Sequence, residues 1–174
     1  MPVMTTDLRL QAGKQSVFAT GVTPTVALRG ITGFKVKPEQ ELKVLNDLQL
    51  NLAGGDTAVI ASNGGTASLD GWATYEDLAY WFDSLFGEAT PGAGPGYSRA
   101  YAAPITTQPT PRIQTLMHGD ATVGAYQLIG AIVNDLTFKV EVKKEATFNT
   151  NLIGNSVAAG TLAGALTTRT VTPI

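Results

Sequence analysis

The chain contains no cysteine, which excludes disulfide staples, thiolate nucleophiles and cysteine-ligated metal. It has a single histidine, His118, whereas a catalytic zinc asks for about three protein ligands of suitable type. Beside Gly119 and Asp120, His118 reads as a residue flanking a turn at a strand end. Charge is also scarce, at 15% of 174 residues, while 44% are apolar, a balance that favours a folded domain over disorder. The length suits one good core and is short for two. No run approaches the roughly 18 apolar residues of a membrane span. Residues 1–10 mix acidic and basic side chains and lack a signal-peptide core, so a soluble, unexported chain is expected. No G-x-S-x-G, H-E-x-x-H, Walker or dinucleotide motif occurs. Gly92-Ala93-Gly94-Pro95-Gly96 is glycine-rich, but Pro95 and the lack of a following helix argue against a phosphate cradle. No catalytic residue, cofactor site or metal site is therefore expected, and the chain reads as a non-enzyme.

What is present is one short amphipathic helix, residues 74–86, among segments that read as strands and turns. Thr74 stands at the N-cap with Asp77 three residues on, so hydroxyl and carboxylate can satisfy two orphan backbone donors. Leu78, Trp81, Phe82 and Leu85 recur on one helical face; Glu76, Tyr80 and Asp83 take the other, and Gly87 closes the helix in a left-handed conformation. A helix this short is marginal alone, so it is expected to dock on a sheet.

Period-two alternation marks the strands. Residues 31–37 form one, bulged at Gly33 and ended by Pro38. In residues 42–52, Leu42, Val44, Leu48, Leu50 and Leu52 share one parity; a helix would also suit part of this stretch, and we read a strand. Asn63-Gly64 signals a type I′ hairpin turn, or else the tip of a longer loop. Residues 112–118 supply a strand, and residues 126–133, apolar on both parities apart from Gln127, suit one covered on two sides. Leu136, Phe138, Val140 and Val142 alternate with polar residues, which predicts one buried face and a turn at Lys143-Lys144-Glu145. Pro104, Pro109 and Pro111 exclude a central strand over residues 104–112. We expect an N-terminal arm at 1–30 with one or two short extended pieces, a β domain at 31–154, and a tail at 155–174 with a short strand near 167–172.

The words around the helix carry a resemblance. Gly71-Trp72-Ala73-Thr74-Tyr75-Glu76-Asp77-Leu78 leads into Tyr80-Trp81 and Leu85-Phe86-Gly87. Tyr97-Ser98-Arg99, Pro111-Arg112-Ile113-Gln114-Thr115-Leu116 and Gly119-Asp120 follow. Then come Tyr126-Gln127-Leu128-Ile129-Gly130-Ala131, Asn134-Asp135-Leu136-Thr137 and Asn151-Leu152-Ile153-Gly154. Their order over residues 31–154 resembles the major tail protein, or tail tube protein, of long-tailed (siphovirus-type) bacteriophages. The resemblance implies a mainly β protein: an antiparallel β-sandwich or barrel-like protomer with one flanking α-helix and long loops. It implies a structural virion protein made in the host bacterial cytoplasm, whose copies form rings of six that stack into the tube conducting DNA during ejection. Its partners would be itself, tape measure, terminator and distal tail proteins, with DNA as non-specific cargo in the lumen. Residues 38–45 and 54–65 are candidate inter-ring loops.

Charge is unevenly spread. Residues 44–98 hold seven acids and no base, the first 43 residues carry +3, and residues from Arg99 onward carry +2. The acidic stretch either solvates one face or faces the lumen or a basic surface on the next ring, with Asp56, Asp70 and Glu88 as probes. Rival readings are another tail ring (terminator or completion), a contractile-secretion tube, and a monomeric ligand-binding β-sandwich with Trp72 and Trp81 lining a sugar cleft. Tyr97, Arg99 and Tyr101 would suit single-stranded nucleic acid, but that mode also needs a basic groove, so edge-strand packing is preferred.

Overall fold

The computed structural model describes residues 9–46, 56–92, 98–102, 106–120, 124–164, 166 and 174. The elements are β1 (Arg9–Lys14), β2 (Val26–Leu28), β3 (Ile31–Asn46), β4 (Asp56–Trp72), α1 (Tyr75–Phe86), β5 (Gln114–Asp120), β6 (Gly124–Lys139), β7 (Thr147–Gly154) and β8 (Ser156–Gly160). Paired strands are antiparallel throughout, in the order β2-β1-β5-β6-β7-β4-β3 with β8 branching from β6. β6 serves two layers. Its first half lies between β5 and β8, and from Ile132 it pairs with β7. The bend falls at Gly130, φ +71, where a Cβ would press on Asn155 and Phe18 at 3.1 and 3.2 Å. One layer is thus β2-β1-β5-β6-β8 and the other β6-β7-β4-β3, a mainly β, sandwich-like fold with one flanking helix and no closed barrel among the described residues.

The core is shared by both layers and the helix: Leu10, Leu116 and Leu128 from the first layer, Leu69, Phe148 and Leu152 from the second, and Trp81 from α1. Burial of each such side chain contributes roughly 1.5–3 kcal/mol. Leu128 is seated by absence of side chains opposite it. A Cβ on Gly65 would lie 2.9 Å from Leu128 Cδ1 and 2.4 Å from Val157 Cγ2, and one on Gly154 would lie 2.4 Å from Leu128 Cδ1.

Several expectations need correction. Asn63-Gly64 makes no turn: β4 runs straight through, with Asn63 opposite Gln40 and Gly64 opposite Glu39. Long cross-strand pairing with β3 outweighs the local turn preference. Pro38 does not end β3 but sits opposite Gly65; β3 pairs with β4 alone, and an edge strand tolerates a missing N–H. The bulge near Gly33 is present as a register shift between Ile31 and Gly33. The strand expected at residues 42–52 is the end of β3 up to Asn46; residues 47–52 lie outside the described residues, as does the strand expected near 167–172. Residues 38–45 and 56–65 are two arms of one hairpin, not loops. The short extended pieces expected in the N-terminal arm are β1 and β2, but they belong to the sheet, with Leu10 and Ala12 buried.

The helix begins where expected. Thr74 Oγ1 accepts the Asp77 N–H at 3.2 Å, while the Asp77 carboxylate accepts the Arg29 N–H at 3.0 Å. Gly87 has positive φ, but its φ/ψ of 91/157 is extended rather than left-handed helical. Tyr80 and Asp83, assigned to the wet side, are buried, because the chain after the helix folds back over them. The alternation at Leu136–Val142 also misleads: Phe138, Val140 and Val142 are exposed. Tyr126 is likewise exposed, although β6 is flanked by strands on both sides there.

Candidate assembly surfaces

The second layer has one dry face and one wet face. On the wet face Lys35, Ser68, Asn151 and Asp135 form one cross-strand row, and Asp70, Asn149 and Thr137 the next. Its carboxylates are matched locally. Asn149 Nδ2 donates to Asp70 Oδ1 at 2.6 Å, and Asn151 Nδ2 donates to both Asp135 oxygens at 3.0 and 2.9 Å. Lys37 lies 3.7 Å from Glu39, and Thr66 Oγ1 donates to Glu39 at 3.2 Å. Lys139 sits 2.8 Å from Glu141, which also accepts from Lys144. These bonds hold the Glu141 carboxyl below its usual range and push the Lys139 ammonium up.

The layer has two outer strands. β3 bonds to β4 only. On the other side, β6 beyond Ile132 bonds to β7 only, except at Val133, whose N–H donates to Ser84 Oγ of α1 at 3.0 Å. The helix thereby caps the start of that margin and leaves Asp135–Lys139 without a strand partner on the side away from β7 among the described residues. β4 meets β7 only from Gly65 onward, so residues 56–64 pair with β3 alone. At about 3.3 Å per residue this two-stranded arm reaches roughly 25 Å past the sheet. Leu42 and Ile60 stand opposite each other on it, both exposed.

Behind the second layer, Asp83 is a hub that sequence reasoning missed. Its buried carboxylate accepts from Tyr101 Oη at 2.8 Å, from Arg112 at 3.1 Å, from Arg99 at 3.2 Å and from Ala89 N–H at 3.3 Å. Arg112 also stacks 4.8 Å over the Tyr80 ring. Burial, then the bond to Asp83, push the Tyr101 phenol up to about 12. Arg99 and Tyr101 are thus committed to fastening a loop, and Tyr101 packs 5.3 Å from the Phe82 ring; Tyr97 lies outside the described residues. Nothing in the spacing of these residues announces the hub, since its side-chain partners lie 16 to 29 positions from Asp83.

The acidic stretch does not form one surface. Asp70 is on the wet face with Asn149, Asp77 and Asp83 are buried, and Glu88 pairs with Lys14 and lies 3.9 Å from Arg112. The side chain of Asp56 lies outside the described residues. Trp81 is core and Trp72 is exposed at the far end of β4, so they share no sugar cleft. His118 packs 4.8 Å from the Phe34 ring, and burial lowers its pKa. Among the described residues no three His, Asp or Glu side chains converge as a metal would need, and no helix is long and apolar enough to cross a membrane.

Among the described residues, open sheet margins, a projecting ribbon and polar groups spent on internal pairing are the features of a structural subunit. Residues 5–174 match the family described as Phage tail tube protein, and the chain belongs to that family. It is a structural component of the virion tail and not an enzyme. No curated protein matches it. Solved structures share the fold. The tail of an empty gene transfer agent particle, refined helically with C6 symmetry, is 12% identical, with 90% of this chain and 96% of that chain covered and a TM-score of 0.50. The tube-terminating cap of the anti-feeding prophage is 9% identical, with 92% of each chain covered and a TM-score of 0.52. The extended sheath–tube complex of the PVC extracellular contractile injection system is 8% identical, with 92% and 93% covered and a TM-score of 0.52.

Proposed function

We propose that copies of this chain close into rings by pairing the β6 margin of one with the β3 margin of the next, and that the rings stack into a DNA-conducting tube. The observation carrying this reading is the strand parity of the second layer. β6, β7, β4 and β3 alternate in direction, so β3 of a second copy laid beside β6 continues the antiparallel order. Closure removes both open margins at once. The C6 symmetry of the gene transfer agent tail supports six copies per ring. The wet face would line the bore. Its amide-capped carboxylates and lysine–glutamate pairs leave little net field to hold phosphate, so DNA slides without base contacts. Tape measure, terminator and distal tail proteins would meet the ends of this tube, in a long-tailed phage.

Electron microscopy of the purified full chain tests the reading. Tubes of uniform diameter are expected, and Thr137→Pro on the β6 margin should reduce them to small particles. Particles that stay single at high concentration would overturn it; isolated rings would favour a terminating cap of related fold.

A further inference from the structure

Exposed apolar side chains gather at the two opposite ends of the second layer. One end is the arm, where Leu42 and Ile60 face each other across β3 and β4, 64% and 59% exposed. The other end is the row formed by Trp72, Thr147 and Lys139, next to the Ile31–Gly71 pair, together with the turn that follows. There Trp72 is 47% exposed, Tyr75 66%, Val140 76% and Val142 90%. Val142 rides a tight turn in which Lys143 takes φ +63 and Lys144 N–H bonds Glu141 O at 3.2 Å. Beside this turn Ile174 is fixed, its N–H bonded to Ala73 O and its carbonyl accepting from Ala146 N–H, each at 3.0 Å. The apolar side chains at this end therefore project from anchored backbone.

We infer that these two ends are the halves of one head-to-tail contact: the Leu42/Ile60 arm of one copy seats on the Trp72–Tyr75–Val140–Val142 end of a copy in the neighbouring ring. Charge agrees with the apolar match. Residues 38–43 hold Glu39, Glu41 and Lys43, one net negative charge, while residues 139–145 hold three lysines and two glutamates, one net positive charge. Glu41 precedes Leu42 and Lys143 follows Val142, so the seated arm brings opposite charges beside the apolar contact. The two surfaces differ and lie at opposite ends of the same strands, so the contact is heterologous and repeats along an axis instead of closing on itself. This rests on the tube reading and adds the receiving surface for the arm.

The absence of native cysteine makes the test clean. Leu42 stands 11 residues along β3 from Ile31, roughly 35 Å at strand rise, whereas a disulfide needs Cα atoms within about 7 Å. Leu42→Cys/Val142→Cys in one chain therefore cannot close on itself. Assembled and oxidised, the double variant should run as a ladder of covalent oligomers without reductant, and the two single variants mixed should give a heterodimer. Val142→Glu, placed to face Glu41, should leave rings and lose tubes. Tubes from the double variant with no disulfide, or with Leu42→Cys joining only its own kind, would overturn the contact while leaving the tube reading intact. If Val142→Glu still stacks into full-length tubes, the contact is likewise excluded. A wild-type chain that yields no rings or tubes would instead bring down the tube reading, a separate result.

Discussion

Arg112 places a guanidinium nitrogen 3.1 Å from the Asp83 carboxylate, with the Asp83 side chain at zero exposure and that of Arg112 at 15%. The pair joins the last turn of α1 to the segment leading into β5, and the Arg112 N–H to Asp83 carbonyl bond, at 3.0 Å, repeats the link in backbone. Two guanidiniums, a phenol and an amide thus meet one carboxylate. Removing the acceptor takes the carboxylate from Arg99 and leaves Arg112 with only the more distant Glu88, 3.9 Å away, in a largely dry site. Asp83→Ala should destabilise the fold by about 3–5 kcal/mol in urea unfolding. Arg99→Ala, at the more exposed partner, should cost clearly less. Equal losses would show that the hub is not centred on Asp83.

The same hub gives the fold an alkaline limit. Tyr101 has its phenol raised from 10.0 to about 12. The folded chain therefore holds this proton more tightly than the unfolded chain. The stabilisation is fully present below pH 10 and is lost as pH rises through about 12. Tyr101→Phe should remove that part of the pH dependence, read as the difference between the two proteins' unfolding midpoints across this window. Identical alkaline profiles would contradict the assignment.

Gly154 tests why β4 passes through Asn63-Gly64-Gly65 without turning. Gly65 and Gly154 lie opposite each other and make the floor on which Leu128 rests. Gly154→Ala should cost about 1–3 kcal/mol by overpacking. Combining it with Leu128→Ala should be less damaging than the sum of the two, since the smaller side chain vacates the space. Strict additivity in a double-mutant cycle would mean that the glycine is needed for another reason.

These positions show what sequence could and could not reveal. The helix was legible because its cap and apolar spacing are local, and so was the β class; the two strands expected at 126–133 and 136–142 are instead one strand, β6, that ends at Lys139. The straight course of β4 was not legible, because the glycines that mimic a turn answer to Leu128 and Val157 far along the chain. The dry side of α1 was misjudged for the same reason: Tyr80 and Asp83 are covered by residues beyond a Pro/Gly loop. Phe138, Val140 and Val142 carry the pattern of a buried face, yet Val140 and Val142 stand largely exposed. Periodicity records that a side chain wants cover without saying which molecule supplies it. The family was readable from the order of short words, while the assembly margins needed strand directions.

The wet face offers the last test. Asn149 and Asn151 each donate an amide to a carboxylate on the adjacent strand, Asp70 and Asp135 respectively. Changing both to aspartate keeps their shape, removes the donors and sets like charges side by side. The pairs are exposed, so each substitution should cost the isolated subunit no more than about 1 kcal/mol. In the proposed ring the effect would be larger, because the same repulsion would recur in every copy around one bore. Asn149→Asp/Asn151→Asp should therefore assemble poorly at low ionic strength and recover in salt, where the Debye length falls to roughly 3 Å near 1 M. Assembly that is impaired equally at all salt concentrations would mean that the amides act by shape and not by charge, and assembly unchanged at low salt would place this face away from the bore.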